Sequence, residues 1–187
     1  LETFVKLPAG NLENCEKLES INIPDSLLEI DSCAFASCKS LVSISLPEGL
    51  KAIGGDAFCN CDKLSEVNLP DNSIKFGSLV FENTAIKNLE HKNLKIKNYL
   101  AMSGDEKSLL YITDHSSTKV TVPETVETLC SHSFFKYHNL VSVDLPKNLK
   151  SIKAQAFWWC TNLKTITIPE NVEKISWQTF ASCENLT

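Results

Sequence analysis

Cys38-Lys39-Ser40-Leu41-Val42-Ser43-Ile44-Ser45-Leu46-Pro47-Glu48-Gly49-Leu50-Lys51-Ala52-Ile53-Gly54-Gly55-Asp56-Ala57-Phe58-Cys59-Asn60 is a unit of 23 residues, and it begins again at Cys61. Prolines 24, 47 and 70 lie 23 apart, and prolines 123, 146 and 169 repeat that spacing. Phe35, Phe58, Phe81, Phe134, Phe157 and Phe180 each follow a proline of this column by eleven residues. A fixed period of this size marks a stacked solenoid, in which each unit buries its apolar face only against its neighbours.

Within the unit, Leu41, Ile44 and Leu46, or Leu64, Val67 and Leu69, follow the pattern L-x-x-I-x-L-P. Its last positions alternate apolar and polar, which predicts a strand with one buried face. Proline ends the strand, having no N–H for the ladder and forcing extended geometry on the residue before it. The strands should therefore stack in register as a parallel sheet, about 4.8 Å apart. Beyond the proline, apolar pairs such as Leu50 and Ile53, or Leu149 and Ile152, point back inward at a three-residue spacing. Ala57-Phe58 and Ala156-Phe157 then place a ring beside a small residue, expected on a short helical or 3-10 turn, and Cys-x-x-Leu leads into the next strand.

The opening turn is short, since Pro8 precedes Pro24 by only 16 residues, with Phe4 to Pro8 expected as a strand end. The copy after Pro70 is irregular: Ser73 falls in an apolar column, Phe76 replaces an Ile, Val80 an Ala and Thr84 a Cys, and Ile86, Leu89 and His91 resemble a strand shifted by one residue. From Lys92 to about Ser116 the period breaks. There Tyr99–Ser103 and Ser108–Ile112 flank Gly104-Asp105-Glu106-Lys107, which predicts a β-hairpin with a glycine in its turn.

The chain has 187 residues, 43% of them hydrophobic, enough for a sizeable core. A net charge of −5 with no basic run argues against a nucleic-acid or anionic-membrane surface, and no stretch has the length of an apolar membrane span. There is no signal peptide or initiator Met, and both ends fall partway through a repeat, which predicts a processed protein or a fragment of a longer array.

Cys15, Cys38, Cys61, Cys160 and Cys183 share one column, with Thr84 and Tyr137 substituting in it, and should stack as an inward ladder of reduced thiols. Strand spacing holds their Cβ atoms further apart than the roughly 3.8 Å of a disulfide. Cys33, Cys59, Cys130, His132 and His138 lie off the ladder without the paired short spacings of a structural zinc site. Neither a metal nor a cofactor is expected, and no Cys/His nucleophile with its orienting third group is evident. Gly54-Gly55 forms no phosphate loop, and Asp25, Glu48, Asp71, Glu124 and Glu170 read as solvated corners rather than paired acid and base.

The unit from Cys38 to Cys61 resembles the 23-residue leucine-rich repeats of the BspA-like family, the Treponema pallidum type, with its C-x-x-L-x-x-I-x-L-P, an apolar pair and A-F-x-x-C. The resemblance covers about four-fifths of the chain. Together with the repeats it implies an α/β class: a right-handed leucine-rich-repeat solenoid with a parallel concave sheet, short helical or 3-10 and extended convex segments, and one inserted hairpin at about 92–116. A single domain over residues 1–187 is expected. The family implies surface-exposed or secreted proteins of host-associated microbes that bind proteins, without shared catalytic residues.

The expected function is thus a non-enzymatic protein-binding module, for adhesion or interaction at a microbial cell surface or secreted, with a protein ligand such as a host or matrix protein. The alternative is an intracellular, cytoplasmic scaffold, and a thiol or metal enzyme is the remote third. Nucleic acid and direct membrane insertion of this segment are not expected. Strand alternation puts Ser20, Asn22, Ser43, Ser45, Glu66, Asn68, Lys119, Thr121, Ser142, Asp144, Thr165 and Thr167 on the open face of the sheet, where repeat arrays commonly bind. Phe135, Trp158, Trp159 and Trp177 form the alternative patch, aromatic rings being frequent anchors of binding energy.

Overall fold

Every proline of the column except Pro24 follows a strand of two or three residues, and the stacking of those strands builds the molecule. The computed structural model describes residues 5–187, so Phe4 lies outside the described residues. The chain divides into two compact units, residues 1–99 and 100–187.

In the first unit, β1 (Lys6–Leu7), β2 (Glu29–Ile30), β4 (Ala52–Ile53) and β6 (Lys75–Phe76) form a parallel sheet in the order of the turns. Its register joins Ile30 to Ile53 and Ile53 to Phe76, a step of 23 residues. The strands foreseen before the prolines appear as β3 (Ser43–Ser45) and β5 (Glu66–Asn68), paired in parallel with Ser43 opposite Glu66 and Ser45 opposite Asn68. The apolar pairs after the prolines thus carry a second sheet. Its strands are short because only two residues per turn run extended.

Residues 20–23 form no strand, contrary to the expectation for Ser20 and Asn22, which lie exposed on irregular backbone. The sheet of β3 and β5 stops at β3 and does not extend to them, and a strand exists only through its ladder. Sequence phase also slips after Pro70: Ile74, not Ser73, is buried. The shifted strand is β7 (Asn88–His91), which turns back as β8 (Leu94–Lys97) in an antiparallel hairpin absent from the sequence reading. The His91 ring closes the turn, accepting the Asn93 N–H at 3.2 Å, while its other nitrogen lies 3.0 Å from the Asn72 carbonyl.

The second unit opens on the expected hairpin, β9 (Leu100–Ser103) and β10 (Ser108–Ile112), with a register shift between Leu109 and Tyr111. Glu106, rather than the glycine, takes the left-handed conformation in its turn, at φ 60°. β10 then serves as the first strand of a parallel ladder through β12 (Thr128–Leu129), β14 (Ser151–Ile152) and β16 (Lys174–Ile175). The other sheet holds β11 (Lys119–Thr121), β13 (Ser142–Asp144) and β15 (Thr165–Ile166). Thr167 lies just past β15.

No helix occurs among the described residues, which corrects the α/β class to a β-solenoid with parallel strands. The Ala-Phe segment is bracketed by left-handed residues, as at Cys33 (φ 56°) and Ser37 (φ 61°), or Gln155 (φ 60°) and Trp159 (φ 65°). A positive φ at every fourth residue interrupts a right-handed helix before it completes a turn. The freed backbone groups instead bond across turns, as where the Phe35 N–H reaches the Ala57 carbonyl at 2.8 Å and the Phe157 N–H that of Thr179 at 2.9 Å.

Between the sheets run the predicted columns. Phe35, Phe58 and Phe81 stack at centroid separations of 5.0 and 5.4 Å, and Phe134, Phe157 and Phe180 at 4.7 and 5.3 Å. All eight cysteines are free thiols. Cys61 and Cys160 donate to the carbonyls of Phe35 and Phe134 at 3.1 and 3.0 Å, so the ladder thiols also satisfy backbone acceptors of the preceding turn.

Candidate functional site

Side chains that alternate outward along β3 and β5 stand on the open sheet face of the first unit. Ser43, Ser45, Glu66 and Asn68 are all exposed there, while Ile44 is buried beneath them. Asn88 and Glu90 of β7 join them, and the six line one groove of about 500 Å³. That volume lies within the roughly 300–1,000 Å³ range of ligand sites. Asn88 and Glu90 escaped the sequence reading because the turn is one residue short, which exchanges inward and outward positions. The buried Leu89 and His91 were the available signal.

The equivalent face of the second unit carries an exposed ion pair. Lys119 Nζ lies 2.9 Å from the Asp144 carboxylate, and Thr121 donates to the same group at 3.3 Å. The hydrogen bond from Lys119 holds the Asp144 carboxyl below the ordinary carboxylate range. Thr165 and Thr167 are exposed, and Ser142 is half-buried.

Three rings of the alternative patch do meet. Phe135 and Trp158 lie 5.4 Å apart, and Trp158 meets Trp159 edge-on at 6.4 Å. Lys136 Nζ sits 4.9 Å over the Phe135 ring. His132 packs edge-on against Phe135 at 5.4 Å and is held by Gln155 at 3.0 Å. Trp159 is 43% exposed, whereas Trp158 is partly covered by its neighbours. Trp177 is 68% exposed and makes no ring contact with the other three among the described residues.

Cys130, His132 and His138 do not converge: His138 bonds Thr161 at 3.1 Å, and burial pushes the Cys130 thiol up. The structure instead brings Cys59 together with Asp56 and Glu82, whose donor atoms lie within 4.8 Å of one another. Cys59 and Glu82 occupy the same position of successive turns, and the thiol donates to the carboxylate at 3.7 Å. Burial, reinforced by the nearby carboxylates, raises the Cys59 thiol far above its ordinary range, so it is protonated and a poor nucleophile. Column arithmetic could have found the Cys59–Glu82 neighbours; Asp56 reaches them only through the left-handed turn it occupies, at φ 55°.

The model of the BspA type leucine-rich repeat region matches residues 3–104 and 107–187 of this chain, in six copies. Among solved structures, the pneumococcal vaccine antigen PcpA superposes with a TM-score of 0.58 at 23% identity, over 79% of this chain and 44% of that one. A leucine-rich cell surface protein of Faecalibacterium prausnitzii gives 0.57 at 23% identity, over 97% of this chain and 62% of its own. A leucine-rich repeat protein of Eubacterium ventriosum gives 0.50 at 15% identity, over 87% and 66%. The chain therefore spans less than two thirds of the length of the first two. No curated protein matches it.

Proposed function

Because this chain belongs to the BspA-type leucine-rich repeat family, we propose that it is a non-enzymatic protein-binding module of a microbial surface or secreted protein, and that a partner docks on the sheet face of the first unit. The observation that carries the site is the groove itself. It gathers Ser43, Ser45, Glu66 and Asn68 with Asn88 and Glu90 into one polar, open concavity, while Ile44 and Leu89 between them are buried. Repeat arrays bind through such curved sheet faces because successive turns present side chains at fixed spacing. The compartment is supported by the printed descriptions of PcpA as a vaccine antigen and the Faecalibacterium protein as a cell surface protein. A host or matrix protein fits that compartment as the partner. No helix is long and apolar enough to cross a membrane among the described residues.

The test selects peptides from a random displayed library against the chain, then measures them on three variants. Ser43→Arg fills the groove, Thr165→Arg burdens the second unit's sheet, and Trp158→Ala with Trp159→Ala strips the aromatic patch. Selected peptides should lose about tenfold or more in affinity on Ser43→Arg, a change of roughly 1.4 kcal/mol or more, and keep it on the other two. Loss confined to the tryptophan variant, with its melting unchanged, moves the site to the aromatic patch and overturns the assignment.

A further inference from the structure

Away from the groove, one column of the repeat changes its chemistry inside the first unit. Twelve residues after the prolines stand Ala36, Cys59, Glu82, Phe135, Trp158 and Ala181. Glu82 puts a carboxylate where every other turn has an apolar residue or a thiol, and it is only 9% exposed. One turn earlier, the buried Cys59 thiol donates to that carboxylate at 3.7 Å. Asp56 reaches the pair from the turn of Cys59, so that a donor atom of each of the three lies within 4.8 Å of the other two. Their backbones are fixed: the Cys59 N–H donates to the Asp56 carbonyl at 3.1 Å, and the Asn60 N–H to the Glu82 carbonyl at 3.0 Å. Sulfur and carboxylate oxygen are thus gathered on two successive turns by the stacking itself.

Taking a carboxylate out of water is costly, and a thiol is a weak donor to set against that cost. Burial, and then the charges of Glu82 and Asp56, push the Cys59 thiol up, so each group makes its neighbours harder to ionise. A bound cation reverses that interaction for all three, and it deprotonates a coordinating thiol outright. The spacing agrees with one such ion: zinc held tetrahedrally, with sulfur at about 2.3 Å and oxygen at about 2.0 Å, sets those two ligands about 3.5 Å apart. Cys59 and Glu82 already stand at 3.7 Å. We propose that Asp56, Cys59 and Glu82 form a zinc site, with water in the fourth position, that ties two successive turns of the first unit together. The sulfur selects a borderline soft ion such as zinc over magnesium or calcium, which take oxygen alone. On binding, the S–H bond of Cys59 breaks, a Zn–S bond forms and the proton passes to the buffer, so affinity rises with pH. None of the three residues lines the groove, and the site is independent of docking there.

The full chain, treated with EDTA and then freed of it, is titrated with cobalt(II) as a spectroscopic substitute and with zinc by calorimetry. Cobalt should produce the visible bands of a tetrahedral ion together with a thiolate-to-cobalt charge-transfer band, and zinc should displace it. Saturating zinc should raise the thermal midpoint by about 5 °C or more, because the ion binds the folded chain. Magnesium and calcium should leave the midpoint where it is. Cys59→Ala gives the column the residue it already carries at Ala36 and Ala181, and the charge-transfer band should vanish in it. Glu82→Gln keeps the side chain's shape and should lower zinc affinity about tenfold or more. Cys33→Ser and Cys130→Ser change two other thiols off the ladder and should retain both the band and the affinity. Each variant is compared with its own metal-free form, so that altered stability of the bare fold is not read as lost binding. If Cys59→Ala does not fold, Glu82→Gln and Asp56→Asn carry the same test. A parent without the charge-transfer band overturns the proposal, and so does a band that survives Cys59→Ala. Zinc affinity indifferent to Glu82→Gln and Asp56→Asn shows an adventitious ion on a thiol only, and overturns it as well.

Discussion

Phe157→Ala is expected to cost the fold about 3–5 kcal/mol, the usual toll of removing a fully buried ring. Phe157 has no exposed surface and lies between Phe134 at 4.7 Å and Phe180 at 5.3 Å, with planes within 13° of parallel on both sides. Its removal leaves a void bounded by two rings whose own backbones are tied to neighbouring turns, so the stack cannot close over it. The loss is read as a lower midpoint of urea unfolding. Phe180→Ala provides the comparison: that ring is only half-buried, and its truncation should cost clearly less. Equal midpoints for Phe157→Ala and the parent would contradict the inward assignment of the column.

Gly77→Ala is expected to be nearly as damaging, at about 1–3 kcal/mol, although it adds one methyl group and leaves a φ that any residue can adopt. A Cβ there would strike the Gly54–Gly55 peptide, with the carbonyl carbon of Gly54 at 2.6 Å and the Gly55 nitrogen nearer still. The obstacle is backbone of the preceding turn, which moves only if the ladder between β4 and β6 moves with it. Gly54 stands in the same relation to the turn before it, where an added Cβ would lie 2.6 Å from the Asp31 carbonyl carbon. By contrast, a Cβ on Gly49 would meet the end of the Leu28 side chain at 3.3 Å, which can rotate away. Thermal unfolding of Gly77→Ala beside Gly49→Ala separates the two cases. If both melt together, the close approach of the turns is not what requires glycine at position 77.

The regular turns were legible because their cause is local and repeated. Proline at 47 ends β3 wherever the turn sits in the stack, and Phe58 falls inward for the same reason as Phe157. What escaped the sequence depends on neighbours. Alternation in Ile21-Asn22-Ile23 has the strand pattern, yet the ladder stops at β3 and no strand forms there. The Ala-Phe segments have helical spacing, yet left-handed residues such as Asn60 (φ 58°) and Trp159 turn their peptides toward the next turn instead. Asn139, Asn162 and Asn185, again 23 apart, were a readable signal left unused: each amide donates to a carbonyl of the preceding turn, at 3.0, 2.8 and 2.7 Å. At the groove, Ser43, Ser45, Glu66 and Asn68 followed from strand alternation. Asn88 and Glu90 did not, because a missing residue inverts the inward and outward sense of β7.

Hydrogen–deuterium exchange of the full chain, with and without a peptide selected on it, tests the docking site most directly. Covering the sheet face slows exchange of the amides beneath it, since the strands there are only three or four residues long and open readily when bare. Binding in the groove should protect β3, β5 and β7, residues 43–45, 66–68 and 88–91, and leave residues 132–159 at their free rates. Protection confined to the segment around Phe135, Trp158 and Trp159, with β3, β5 and β7 unchanged, would contradict it.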